Sequence, residues 1–112
     1  MYVGVCRLTL VAPGTRSRKE KRSILRRIKD RTASRYRVSV AEVDLQEVLS
    51  KMVIGFAVVS SSGELAESLL EGIIGFIAGI GVAQIIGDDR EVFRFEDGDF
   101  SAVDEWVSGK YE

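Results

Sequence analysis

Histidine is absent from this chain, and cysteine, proline and tryptophan occur once each. Without histidine, Cys6 lacks the base that a catalytic thiol normally needs. A single cysteine cannot close an internal disulfide, which points to a reducing, cytoplasmic setting. Long apolar runs are also missing. The longest largely apolar stretch, Gly72 to Gly87, covers 16 residues and includes five glycines. That is shorter and poorer in helix formers than the roughly 20 residues a membrane span requires. No secretory signal is expected either: no charged segment precedes the partly apolar Tyr2 to Val11, and no small-residue cleavage site follows.

What the chain has is enough apolar material for one core. Of 112 residues, 46% are hydrophobic, which suits a single globular domain and excludes a disordered chain. There is no internal repeat and no low-complexity segment. The net charge of −1 conceals a division. Residues 1 to 37 hold twelve Lys or Arg against Glu20 and Asp30, a net of +10. Residues 38 to 112 hold four basic residues against fifteen acids, a net of −11. Such a split indicates a polyanion-binding surface, internal charge pairing, or an oppositely charged partner.

Tyr2 to Val11 alternates as a strand, with Tyr2, Gly4, Cys6, Leu8 and Leu10 on one face and Val3, Val5, Arg7 and Thr9 on the other. Pro13-Gly14 makes a turn. Ser17-Arg18-Lys19-Glu20 has capping-box spacing and opens a helix expected over about 18 to 35, with Ile24, Leu25, Ile28 and Thr32 on its apolar face and Tyr36 closing it. Val38, Val40 and Val43 predict a second strand, Asp44 to Ser50 a connection, and Lys51 to Ser60 a third strand. Ser61-Ser62-Gly63-Glu64 repeats the capping-box spacing before a helix carrying Leu65, Leu69, Ile73, Phe76 and Ile77, which frays near Gly79 and Gly81. Val82 to Ile86 and Glu91 to Phe95 form a last strand region, turned or broken at Gly87-Asp88-Asp89.

The order β-α-β-β-α-β is that of a ferredoxin-like α+β sandwich, a four-stranded antiparallel sheet with two helices on one face. One domain is expected over residues 1–97. A tail over 98–112 follows, with a short helix from about Phe100 to Val107.

At Ser17-Arg18-Lys19-Glu20-Lys21-Arg22, at Val38-Ser39-Val40-Ala41-Glu42-Val43 and in the opening Tyr2-Val3-Gly4-Val5, the sequence resembles the YlxP-like family. These are small bacterial proteins classed as a domain of unknown function. Members typically carry a Ser-Leu-Lys-Glu-Lys-Arg helix start and an aromatic-Asn-Val-Ser-Val-Ala-Glu strand. Here Arg18 stands for the usual Leu and Arg37 for the usual Asn, so the basic field is stronger. The resemblance runs to about residue 60 and weakens beyond it, where the Gly-rich helix end and the tail look particular to this chain. It implies the ferredoxin-like fold and no established activity. The frequent placement of its genes beside translation factors implies a role with RNA or the ribosome.

On a helical wheel, Lys19, Arg22, Arg26 and Lys29 fall within about 80° of one another beside the apolar face. Like charges at this spacing repel by a few tenths of a kcal/mol per pair. Arg27 and Arg31 lie across the helix near Glu20, and Asp30 is positioned to pair with Arg26 or Arg27. Arg16, Arg18 and Lys19 surround the N–H groups of the helix start, where an anion is favoured. The expected phosphate contacts are therefore Arg16, Arg18, Lys19, Lys21, Arg22, Arg26 and Lys29, although the wheel turns Lys21 toward the apolar side. The competing reading is a solvated face neutralised by Glu64, Glu67 and Glu71 of the second helix, which should lie alongside.

Other candidates are weaker. Cys6 reads as a buried small hydrophobe. Ser60-Ser61-Ser62-Gly63 lacks P-loop spacing and serves as a cap. Asp88-Asp89 with Glu91, and Asp97 with Asp99, match no calcium loop and read as turns. Gly72-Ile73-Ile74-Gly75 has the G-x-x-G form of a KH loop but sits inside a helix. Gly75 to Gly79 has the spacing for close packing. Tyr2 and Tyr36 could stack a base but fit core packing better. The outer sheet face, with Val3 and Val5, would leave an apolar patch suited to a homodimer, with Phe100 to Trp106 as an alternative cover. The expectation is a cytoplasmic, non-enzymatic protein that binds structured RNA or a ribosomal particle and needs no cofactor or metal. An interaction module for an acidic protein is the alternative.

Overall fold

A computed structural model of the protein describes residues 1–96. The elements are β1 (Tyr2–Val11), α1 (Arg18–Tyr36), β2 (Ala41–Asp44), β3 (Lys51–Ser60), α2 (Gly63–Ile80) and β4 (Gln84–Arg94). The strands form one antiparallel sheet in the order β2-β3-β1-β4. Two split βαβ units interleave, and this is the expected ferredoxin-like sandwich.

Strand parity decides which residues meet the helices. In the β1–β3 ladder Cys6 faces Phe56, Leu8 faces Ile54 and Leu10 faces Met52, and all six are buried. The helices close over them with Leu25, Ile28 and Thr32 of α1 and Ala66, Leu70, Ile73 and Ile77 of α2. The i, i+3, i+7 spacing in α1 and the i, i+4, i+7, i+11 spacing in α2 make each set one stripe, and each fully buried Leu or Ile contributes about 1.5–3 kcal/mol. Gly4 lets α2 approach the sheet, because a Cβ there would stand 3.0 Å from Leu70 Cδ1 and 3.0 Å from Val58 Cγ2.

Local signals set the helix ends. Ser17 caps α1, its Oγ accepting from the Glu20 N–H at 3.1 Å. The helix ends at Arg37, which takes a left-handed φ of 56° and donates its N–H to the Ala33 carbonyl. In α2 the cap is Ser62, whose Oγ accepts from Leu65 N–H, rather than Ser61 as the S-x-x-E spacing predicts. Ser61 lies one residue outside, and Glu64 falls in the first turn, where its charge still suits the dipole. Gly81, with φ 78°, ends this helix in the left-handed region that glycine occupies without strain.

Two strands differ from expectation. β2 begins at Ala41, and Val38 and Val40 precede it, Val40 being buried against the core. β4 is continuous through Gly87-Asp88-Asp89, so these residues form neither a turn nor a break. Thr9 pairs with Gly87 while Leu10 pairs with Ile85, which leaves Ile86 as the extra residue of a bulge. Among the described residues no helix is long and apolar enough to cross a membrane. The tail expected over 98–112, its short helix and the Asp97–Asp99 pair lie outside the described residues.

Candidate nucleic-acid interface

The core stripe of α1 is Lys21, Leu25, Ile28 and Thr32. The flank toward α2 carries Ile24, which lines a cleft of about 930 Å³ with Ala78, and Arg31 and Arg35, which flank Phe76. Tyr36 meets Phe76 edge to face, with ring centroids 5.7 Å apart, and its hydroxyl passes Gly72. This contact explains the glycine of the G-x-x-G sequence as room for a tyrosine, inside α2. It also commits Tyr36 to packing, and Tyr2 likewise packs against the core. By contrast Gly75 and Gly79 face open space and hold no close contact.

Arg22 and Arg26 lie about 180° around the helix from Ile24 and Arg31. The basic stripe is therefore on the flank turned from α2. Lys19, Arg22 and Arg26 are exposed and Lys29 is half-buried. None of the four has an ion-pair partner among the described residues. Asp30 does not pair with Arg26 or Arg27; it borders the shallow cleft with Arg31, Ser34 and Arg35.

Internal neutralisation by α2 does not occur among the described residues. Glu71 binds Arg90 of β4, which also holds Asp88. These two carboxylates raise the Arg90 guanidinium further above its usual range through direct hydrogen bonds. Asp89 pairs with Arg7 at 3.1 Å on the other face of the sheet. The acidic side of the molecule is thus partly committed to Arg7 and Arg90, away from the α1 stripe. Among the described residues no group of three or more metal-ligating side chains occurs.

Of the expected phosphate contacts, Lys21 takes another role, Arg18 holds a surface ion pair, and Arg16 keeps its side chain exposed while its backbone N–H is bound. Lys21 is buried, 4% exposed, and its ammonium lies 2.8 Å from Glu42 Oε2. It also donates to the carbonyls of Leu45, at 2.7 Å, and Val48. Its place on the core stripe corrects its assignment as a phosphate contact. Arg18 is exposed but reaches Glu47 at 2.7 Å, a surface pair contributing about 0–1 kcal/mol that an anion can displace. At the helix start, Glu20 folds back so that its Oε2 accepts from Arg16 N–H at 2.6 Å. A carboxylate thus already sits where the dipole favours an anion, and Arg16 remains as an exposed side chain beside it.

Sequence reasoning missed the lysine clip. Its signal was the i, i+4 spacing of Lys21 with Leu25, but the acceptors come from the β2–β3 connection, where Leu45 holds a left-handed φ of 57°. The Ser60 hydroxyl accepts from Ser62 N–H, so that serine run is local turn chemistry.

Cys6 faces the helices and is 4% exposed. Burial, with Asp88 nearby, pushes its thiol up to about 11. The native protein should therefore resist iodoacetamide at pH 8, whereas urea-unfolded chain reacts readily. Alkylation of the folded protein should accelerate only as pH approaches 11, followed by mass spectrometry on a pH series. Fast native labelling at pH 8 would contradict the burial.

Comparisons with known proteins bear on the family and on the fold. The family model described as "Protein of unknown function (DUF503)" matches residues 3–90. It therefore extends through α2 and most of β4, well past residue 60, and includes the Gly-rich helix end. The "Uncharacterized protein YlxP" of Bacillus subtilis is 38% identical over 61 residues, covering 54% of this chain and 66% of that protein. The match thus spans just under two thirds of that relative's length. Among solved structures, protein YJCS aligns with a TM-score of 0.50 at 6% identity, over 80% of this chain and 96% of that one. SnoaB, a cofactor-independent oxygenase from Streptomyces nogalater, aligns at 0.44 and 10% identity, over 88% and 98%. At 6% identity the YJCS alignment speaks to the fold alone, while the family match covers most of the chain. The chain belongs to the DUF503 family of proteins of unknown function.

Proposed function

We propose that the protein is a non-enzymatic, cytoplasmic domain that binds structured RNA, of the kind a ribosomal particle presents, through the outward flank of α1. One observation carries this reading: Lys19, Arg22, Arg26 and Lys29 lie on the flank turned from α2, without ion-pair partners among the described residues. Four like charges along about 15 Å of helix repel one another, and a row of phosphates removes that cost. Arg18 and Arg16 extend the row toward the helix start, Arg18 by exchanging Glu47 for a phosphate. A binding role is further supported by the one thiol, which is buried, protonated at neutral pH and without a histidine to activate it.

The test is the salt dependence of affinity for ribosomal RNA fragments, measured by fluorescence anisotropy. Neutralising about four phosphates predicts a slope of log K against log salt of about −3. A slope near zero, or no binding at low salt, would overturn the reading. Recovery of an acidic protein on the same flank, with no RNA affinity, would favour a protein partner instead.

A further inference from the structure

We propose that the open face of the sheet is the contact surface for a second copy of this chain. The face is formed by the odd-numbered side chains of β1 and their neighbours, and the register lays them out in rows. Phe93–Val3–Val59 is the first, Glu91–Val5–Ala57 the second, Asp89–Arg7–Gly55 the third and Gly87–Thr9–Val53 the fourth. Val43 of β2 reaches over Gly55, so a Cβ on that glycine would meet it at 3.1 Å. Val59 is 65% exposed, Val43 49% and Phe93 39%.

The central strands are complementary to themselves in shape. At two successive levels β1 carries the larger side chain and β3 the smaller: Val5 opposite Ala57, and Arg7 opposite Gly55. A two-fold axis parallel to the strands and midway between β1 and β3 exchanges these positions. Each Arg7 then lies level with the partner copy's Gly55, against the depression that Val5, Arg7, Val43, Gly55, Asp89 and Glu91 line, and each valine lies over an alanine. Arg7 enters this contact with its charge already matched by Asp89 at 3.1 Å, so no unpaired charge is carried in by this row.

Area limits this contact to a small interface. Three strands of about ten residues and one of four, at about 3.4 Å per residue and 4.8 Å between strands, give roughly 550 Å² in projection. Side-chain relief adds to this, and a standard interface needs about 800 Å² per partner. This axis stacks β1 on β3 along their full length and β4 on β2 only over the four residues Ala41–Asp44, which sets the contact at the small end of specific interfaces. The helices end on the two outer sides, so the dimer presents two α1 flanks facing away from each other.

Sedimentation of the full-length protein tests this independently of any RNA affinity. The chain of 12.4 kDa should sediment at twice that mass. Ala57→Arg and Val59→Arg should each weaken association about tenfold or more, with circular dichroism unchanged, while Leu65→Arg on α2 leaves the dimer intact. If Ala57→Arg does not fold, Val59→Arg at the exposed strand end reads the same contact. A monomer at every concentration, as a segment of the same chain lying over the face would produce, overturns the proposal. So does a dimer that survives both arginine substitutions on the face.

Discussion

Replacing Lys21 with alanine should destabilise the fold by about 3–5 kcal/mol, the range for removing one partner of a buried ion pair. Against a typical total of about 5–15 kcal/mol, this is a large fraction. The side chain fills the first position of the α1 core stripe, so its stem packs as an apolar residue would. Its ammonium does what no apolar residue can. It answers the Glu42 carboxylate and the Leu45 and Val48 carbonyls.

Leu45 O retains the Val48 N–H as a second partner at 3.0 Å, so the cost falls mainly on Val48 O and on Glu42. Glu42 Oε2 is buried and has no aligned hydrogen bond, which makes it dependent on the nearby positive charge. Urea titration followed by circular dichroism measures the effect. Lys21→Met should be milder because the stem remains, and the double variant K21M/E42Q milder still, because no charge is then left alone. A destabilisation below about 0.5 kcal/mol for Lys21→Ala, typical of surface substitutions, would mean that the lysine is a surface residue after all.

Reversing Arg22, Arg26 and Lys29 to glutamate should reduce RNA affinity by on the order of a hundredfold or more at low salt, and flatten the salt slope by about one unit for each phosphate no longer held. The three positions are off the core stripe, so the melting temperature should barely change. The repulsion among the three positions keeps its size when all three signs are reversed, and only their contacts with unchanged neighbours such as Lys19 turn attractive, so any change should stay within a few tenths of a kcal/mol. Electrophoretic mobility shift and anisotropy measure the drop in affinity, with reversal of Arg31 and Arg35 on the α2 flank as the comparison. Equal drops from both flanks would indicate a diffuse charge effect in place of a defined surface.

Much of the fold was legible because its signals are local. Alternation in β1 and β3, the Ser17 cap and the 3.6-residue spacing of Leu25, Ile28 and Thr32 all act within a few residues. The misreadings were of two kinds. Some were local competitions between near-equal choices, such as Ser61 and Ser62 for the α2 cap. Others were cases where tertiary pairing overrode composition. Gly87-Asp88-Asp89 reads as a turn, yet a full partner strand in β1 holds it extended and Asp88 and Asp89 find arginines on opposite faces of the sheet. The match to the DUF503 model over residues 3–90 likewise exceeds what the motifs before residue 60 indicated.

For the candidate site, the sequence alone determined that Lys19, Arg22, Arg26 and Lys29 share one stripe, since a helix places its residues by angle about its own axis. It could not determine which neighbour that stripe meets. Whether Glu64, Glu67 and Glu71 neutralise it depends on how α1 is rotated against α2, and that rotation follows from burying Lys21, Leu25, Ile28 and Thr32 on the sheet. The tertiary structure turned the stripe outward, took Lys21 from it for the clip at Glu42, and set Glu71 on Arg90. The reason is physical: ion pairing falls off within a few ångströms, so its partners are chosen by packing between distant segments, which no local pattern encodes.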